Sequence, residues 1–212
     1  MKKNDYDFIA GAYDALAKLV FRQTLDQAKL SSLKYINSPA NILLIGGGTG
    51  KLLNPLLDLH NENRITYVDL SVQMMKKAKS KIPDEKQAQV TFCPGDFIQF
   101  NHQHQFDVVI TNFFLDQFQG NFLQQMVTKI DSLLKEEGIW CFADFNWSKQ
   151  HKIWQKALIR LMYIFFKFTT NISASHLPHW QNVLPLPHYS ILSRSYLNHQ
   201  LILCMVTKKA KK

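Results

Sequence analysis

At 212 residues the chain is long enough for one domain with a sizeable core, with room for a small lid besides. Its net charge of +9 resides partly in a basic tail, TKKAKK at 207–212, and no basic patch interleaved with stacking aromatics is evident, so nucleic acid is not an expected partner. Cys93, Cys141 and Cys204 are isolated and fit reduced thiols of a cytoplasmic protein better than a disulfide framework, while MKKNDYDF carries no apolar leader and no run of 18 apolar residues predicts a membrane span.

In chain order, a helix is expected over about 6–35. ANILLIGGGTG at 40–50 follows, an apolar run that ends in four glycines and a threonine. Four glycines in five positions lose much backbone entropy on ordering, so a tight turn or a close ligand must require them. KLLNPLLDLH then places Leu52, Leu53, Leu56, Leu57 and Leu59 near helical spacing, which argues against a plain hairpin. The order is strand 41–45, glycine loop, helix 50–59, the opening of a βαβ unit. A phosphate loop of the form G-x-x-x-x-G-K-[ST] fails at Ile45 and Leu52, and the dinucleotide form G-x-G-x-x-G fails at Lys51. What remains is Gly46, Gly48 and Gly50, with Gly47 between.

RITYVDLS predicts a strand at 65–69 ending in Asp69, 19 residues after Gly50. An acid there can accept from a ribose diol. It can also cap the helix expected at 72–81, a role for which Ser71 competes. Strands are expected at 89–93, 106–111 and 138–144, with a helix at 119–134 between the last two. Asp96, in the PGD turn, reads alternatively as an Asx-turn residue. A long helix at 149–170 and two strands, 188–196 and 199–209, complete the α/β, Rossmann-like, doubly wound pattern.

With these pieces in order, the chain resembles class I S-adenosylmethionine-dependent methyltransferases, most closely the small-molecule branch with the ubiquinone/menaquinone C-methyltransferases. YDFIAGAYDAL, ILLIGGGTG, YVDLSVQMMKKAKSK, FCPGDF, FDVVITNFFLDQF and LLKEEGIWCFADF carry the resemblance, over roughly 5–145. It implies a seven-stranded sheet closed by a C-terminal antiparallel hairpin. It also implies a division into an N-terminal helical cap (1–38), a cofactor-binding core (39–146), a helical lid insertion (147–187), the strand hairpin (188–207) and the basic tail (208–212). One departure is Leu44, where the family often has an acid two positions before the first loop glycine.

The resemblance implies roles for named residues. Gly46, Gly48 and Gly50 would let backbone pass the methionine portion of S-adenosylmethionine, with Gly47 in the same cofactor-binding loop. Asp69 would hold the ribose hydroxyls, Leu70 and Met74 would pack on the adenine, and Asp96 would accept from its amino group beside Phe97. Asn112 and Phe113 would face the methionine end and the transferred methyl. No metal is expected. His176 and His179 form H-x-x-H, but Pro178 breaks a regular helix there. His102 and His104 read as a polar surface loop.

The predicted helix 149–170 carries Lys149, Lys152, Lys156, Arg160 and Lys167 on one face and Trp154, Leu158, Leu161, Phe165 and Phe168 opposite. Ile159, Tyr163 and Phe166 extend apolar surface to the edges of the basic stripe. A helix packed on two sides, a lid over an apolar pocket and a membrane-surface helix all fit. Methyl transfer needs no fixed catalytic motif, because it chiefly needs alignment and exclusion of water. Asp116, His188 and Tyr13 are candidates for a catalytic role, and Tyr6 with Tyr13 for closure over the cofactor. The expected function is methyl transfer from S-adenosylmethionine to a small apolar or aromatic acceptor, releasing S-adenosylhomocysteine. A non-catalytic cofactor-binding module and a nicotinamide-dependent oxidoreductase are the alternatives.

Overall fold

A computed structural model describes residues 24–148, 150–153, 155–156, 159, 176–184 and 186–211. In it the apolar runs become one seven-stranded sheet. β1 (Asn41–Ile45), β2 (Arg64–Asp69), β3 (Val90–Pro94), β4 (Phe106–Asn112) and β5 (Leu134–Phe145) run parallel. β6 (Tyr189–Leu197) and β7 (Ile202–Lys209) form the expected antiparallel hairpin. The order is β3-β2-β1-β4-β5-β7-β6. The strand order reverses at β1 and β4, and open sheets of this kind bind ligands at the carboxyl ends of the strands beside that point.

The unbroken ILLI run of β1 follows from burial on both faces. Ile42 and Leu44 enter one core with Leu53, Leu56 and Tyr67; Leu43 and Ile45 enter another with Val109, Met126 and Trp140. Four helices flank the sheet among the described residues: α1 (Thr24–Leu30), α2 (Leu53–Leu59), α3 (Val72–Lys79) and α4 (Gly120–Leu133). α4 buries Leu123, Met126, Val127, Ile130 and Leu133, the three-and-four spacing of a single apolar face. α1 places Leu25 and Ala28 against Ala143, Phe145 and Ile202, over the carboxyl end of β5. Asn63 is fully buried and ties α2 to the start of β1: its carbonyl accepts from Ala40 N–H at 2.9 Å and its amide donates to Leu56 O at 2.7 Å. Removing it would leave two buried backbone groups unpaired, at about 1–3 kcal/mol each.

Several element boundaries differ from expectation. The described part of the 6–35 helix ends at Leu30, and Leu33–Tyr35 forms a separate tight turn after two serines. The helix expected from 50 begins at Leu53, because Gly50 has φ +74° and cannot join a right-handed helix. The helix expected to reach 81 stops at Lys79. β5 starts at Leu134, directly out of α4 and four residues early; Glu137, at φ +61°, turns the strand, and the register with β4 shifts between Phe106 and Val108.

Tyr6, Tyr13 and most of the helix expected at 149–170 lie outside the described residues. The start of that insertion is docked on the β6–β7 turn, whose Asn198, His199 and Gln200 all have positive φ. Gln155 donates to His199 O at 2.9 Å, and Asn146 donates to Gln200 O at 3.0 Å. No helix among the described residues is long and apolar enough to cross a membrane.

Candidate cofactor and acceptor site

The glycine loop is fastened to the end of β2. Gly46 N–H donates to Val68 O at 2.9 Å, and Gly48 N–H to Asp69 Oδ2 at 3.1 Å. The Tyr67 hydroxyl donates to Gly48 O and stands 3.5 Å from Asp69 Oδ2. Asp69 Oδ1 accepts from Ser71 N–H at 2.9 Å. Burial raises the Asp69 pKa, partly offset by these hydrogen bonds, and burial together with the Asp69 charge pushes Tyr67 up. Ser71, not Asp69, caps α3: its hydroxyl accepts from Met74 N–H at 3.2 Å. The acid is therefore left for the loop and for whatever lies against it.

Three of the four glycines are required by the protein itself. A Cβ on Gly46 would stand 2.8 Å from Phe114 Cδ2, and one on Gly47 would collide with the Tyr67 ring. One on Gly50 would meet Ala78 of α3 at 2.6 Å. Only at Gly48 is the space beyond the backbone open, with nothing within 4 Å. Sequence reasoning assigned the loop glycines to a tight turn or to ligand approach; packing is a further demand, and it falls on three of them. Leu44 is buried and packs in the same core as Tyr67, so it belongs to the interior.

Around the open side of the loop, Leu70 is 55% exposed and Val72 53%, an apolar shelf just past β2, with Met74 half-buried beside it. Asp96 accepts from Ile98 N–H at 3.1 Å, so the Asx-turn geometry is present. Phe97 is buried, and Phe114 meets it edge-on with ring centroids 6.0 Å apart. Lys129 Nζ lies over the Phe97 ring and donates to Ile98 O. At the end of β4, the Asn112 amide nitrogen is buried with no hydrogen-bond partner among the described residues. Phe113, at φ +55°, is held by its N–H to Ala143 O at 2.7 Å, and Lys29 of α1 lies over its ring. A non-glycine residue in that conformation is strained, and such strain concentrates at functional sites. An orphaned buried donor, an open glycine and a bare apolar shelf fit a ligand with a polar end and a flat apolar ring, as S-adenosylmethionine has.

The structure does not bring every candidate to this place. His188 lies at the opposite end of the sheet, 2.9 Å from Asp131, where Tyr189 pairs with Lys209 and Lys209 bonds Leu134 O. It is not positioned to act as a base at the strand carboxyl ends. His102 and His104 bond each other in an exposed loop. His176 and His179 are exposed, and no group of three potential metal ligands is found among the described residues.

Asp116 does reach the site, and it has a partner that sequence reasoning missed. Asp144, near the end of β5, is fully buried. Its Oδ2 accepts from Leu115 N–H at 3.0 Å and Asp116 N–H at 3.2 Å, and its Oδ1 from Phe145 N–H at 2.9 Å. The Asp116 and Asp144 side chains are thus neighbours, both buried. Burial pushes Asp116 up to about 7, and burial with the neighbouring Asp116 charge holds Asp144 well above the carboxylate range. The available signal was a lone acid in the apolar run IWCFADF, where an unpartnered charge would be prohibitive.

Residues 43–140 match a family described as "Methyltransferase domain". Among curated proteins, the chain is 32% identical over 147 residues to a malonyl-[acyl-carrier protein] O-methyltransferase of Priestia megaterium, covering 68% of this chain and 51% of that one. It is 31% identical over 137 residues to the protein of that name from Acetivibrio thermocellus, covering 63% and 45%. The chain thus spans about half the length of these relatives. Among solved structures, the 1,6-didemethyltoxoflavin-N1-methyltransferase of Burkholderia thailandensis, bound to 1,6-didemethyltoxoflavin and S-adenosylhomocysteine, aligns with TM-score 0.63 at 16% identity, over 98% of this chain and 87% of that chain. The N-methyltransferase NodS of Bradyrhizobium japonicum aligns with TM-score 0.61 at 12% identity, over 88% and 93%. Likeness at these identities is one of fold.

Proposed function

From the match of residues 43–140 to a methyltransferase domain, we propose that the chain transfers a methyl group from S-adenosylmethionine to a small apolar or aromatic acceptor. The observation that carries the reading is the open Gly48, bonded through its N–H to Asp69 at the end of β2. In this reading the ribose diol lies on Asp69, and the adenine lies between the Leu70–Met74 shelf and the Asp96–Phe97 turn. The methionine end lies along Gly46–Gly48 toward Asn112, whose free amide donates to its carboxylate. The bound cofactor supplies a methyl carbon activated by a sulfonium. The chain's part is to align an acceptor in line with that carbon, at Asn112 and Phe113, and to exclude water.

The acceptor atom is where the resemblances diverge. The quinone-methyltransferase branch suggested by the sequence would methylate carbon. The names of the curated relatives specify oxygen on a carrier-bound malonyl group. A cytoplasmic site of action accords with the isolated cysteines, and contact of residues 149–170 with a membrane surface remains part of the proposal.

Calorimetric titration of S-adenosylmethionine and S-adenosylhomocysteine, with NADH and ATP as controls, tests this reading. Micromolar binding of the first two alone is expected. Binding of NADH in their place would turn the assignment to an oxidoreductase, and silence from all four in folded protein would remove the cofactor reading. Binding with no methyl transfer to any acceptor tried would favour a regulatory cofactor-binding module.

A further inference from the structure

We propose that Asp116 is the general base of the transfer and Asp144 its positioning residue, so that the acceptor is a group that arrives with a proton, a hydroxyl or an amine. This rests on the methyltransferase reading above and adds to it the chemistry of the acceptor.

The geometry is that of a one-proton pair. Two buried carboxyls on adjoining backbone cannot both ionise at low cost, so the pair retains one proton. Asp144 is wholly enclosed, held by three backbone N–H groups from two segments. Asp116 is also buried but retains 7% of its surface, so it is the less enclosed of the two. It stands on the short turn Leu115–Gln117 that follows Asn112 and Phe113, so the pair sits at the carboxyl ends of β4 and β5 where the acceptor is expected. Asp144 holds that turn by its Leu115 and Asp116 amides, and thereby fixes where Asp116 points. On α1, which packs over the end of β5, Lys29 lies over the Phe113 ring. Burial brings Asp116 to about 7, the range in which a general base works best at neutral pH.

The step balances as follows. The acceptor oxygen or nitrogen forms a bond to the methyl carbon with its lone pair. The carbon–sulfur bond breaks with its electrons going to sulfur, which passes from sulfonium to thioether. The acceptor's proton moves to Asp116, while the proton already in the pair stays with Asp144. A carboxylate acceptor, such as a malonyl group, brings no proton and would meet the charge of the pair. The assignment therefore separates this chain's acceptor from that of its curated relatives.

The test needs no acceptor. The protonated-carboxyl infrared band of the full chain is followed against pH with no ligand, with S-adenosylhomocysteine, and with S-adenosylmethionine. Calorimetry on the same samples shows that both ligands bind. The expected result is a band that titrates near neutrality and is lost in Asp116→Asn. A sulfonium beside Asp116 favours its ionised form, so S-adenosylmethionine should move the titration to lower pH, by about tenfold in proton affinity, and the uncharged thioether should not. In Asp144→Asn the amide donates to Asp116 and the titration falls toward the ordinary carboxylate range; if that variant does not fold, Asp116→Asn alone assigns the band. Absence of a neutral-range band, or identical titrations with the two ligands, would assign the pair to structure and overturn the proposal. Failure of both ligands to bind would instead refute the methyltransferase reading beneath it.

Discussion

A Gly50→Ala protein should melt well below the parent. At φ +74° an alanine carries about 1–2 kcal/mol of conformational strain. Its Cβ would stand 2.6 Å from Ala78 Cβ and 2.7 Å from Ala78 Cα. The second of these is backbone of α3, so relief requires the helix to move, and overpacking of that kind costs about 1–3 kcal/mol more. The sum, about 2–5 kcal/mol, corresponds to a fall in melting temperature of about 5–15 °C for a chain of this size. Gly48→Ala is the matched control. It has φ +60° but nothing within 4 Å, so its loss should be confined to about 1–2 kcal/mol of strain while cofactor binding weakens. Equal melting losses in the two variants, read by calorimetry or circular dichroism, would show that α3 does not press on the loop.

Asp69→Ala should lose cofactor affinity by more than about a hundredfold, since two charge-assisted hydrogen bonds to a ribose are each worth about 1.5–3 kcal/mol. Stability should change little. Burial raises the native pKa of Asp69 above its unfolded value, so its favourable contribution is present in acid and is lost as pH rises through the raised value. At neutral pH the buried charge is a cost that alanine relieves, set against the acceptor that Gly48 and Ser71 N–H lose. Titration of S-adenosylhomocysteine beside a melting curve separates the two effects. Unchanged affinity would mean that the ligand does not lie on Asp69.

The path from strand to glycine loop to helix could be read from the chain because local chemistry dictates it. ILLI must be buried on both faces, and the leucines after the loop recur at helical spacing, although their helix begins at Leu53 and not at 50 as expected. The seven strands followed from the same kind of evidence, and their closing hairpin from the resemblance. The division of labour among the glycines could not be read, since Tyr67, Phe114 and Ala78 press on them from 20 to 68 residues away. The early start of β5 was hidden because LLKEEG has helical composition, and only the left-handed Glu137 makes it a bent strand. Asp144 was missed because its value lies in amides 28 and 29 residues earlier in the chain. His188 was weighed as a base on residue type alone, but β6 runs in the direction of β1–β5, so the residue before its first position stands at the amino end of the sheet.

The order β5-β7-β6 has a consequence for how the sheet opens. β7 is the later strand in the chain yet lies between the other two, and β6, largely exposed, pairs in the sheet with β7 alone. β6 can peel away and leave β7 bonded to β5, whereas β7 cannot leave without taking β6 along. Backbone amides alternate in direction along a strand. Neighbouring amides of β7 therefore belong to two classes of solvent exchange. Those directed at β6 are released by a local opening of the edge, and those directed at β5 only by unfolding of the sheet as a whole.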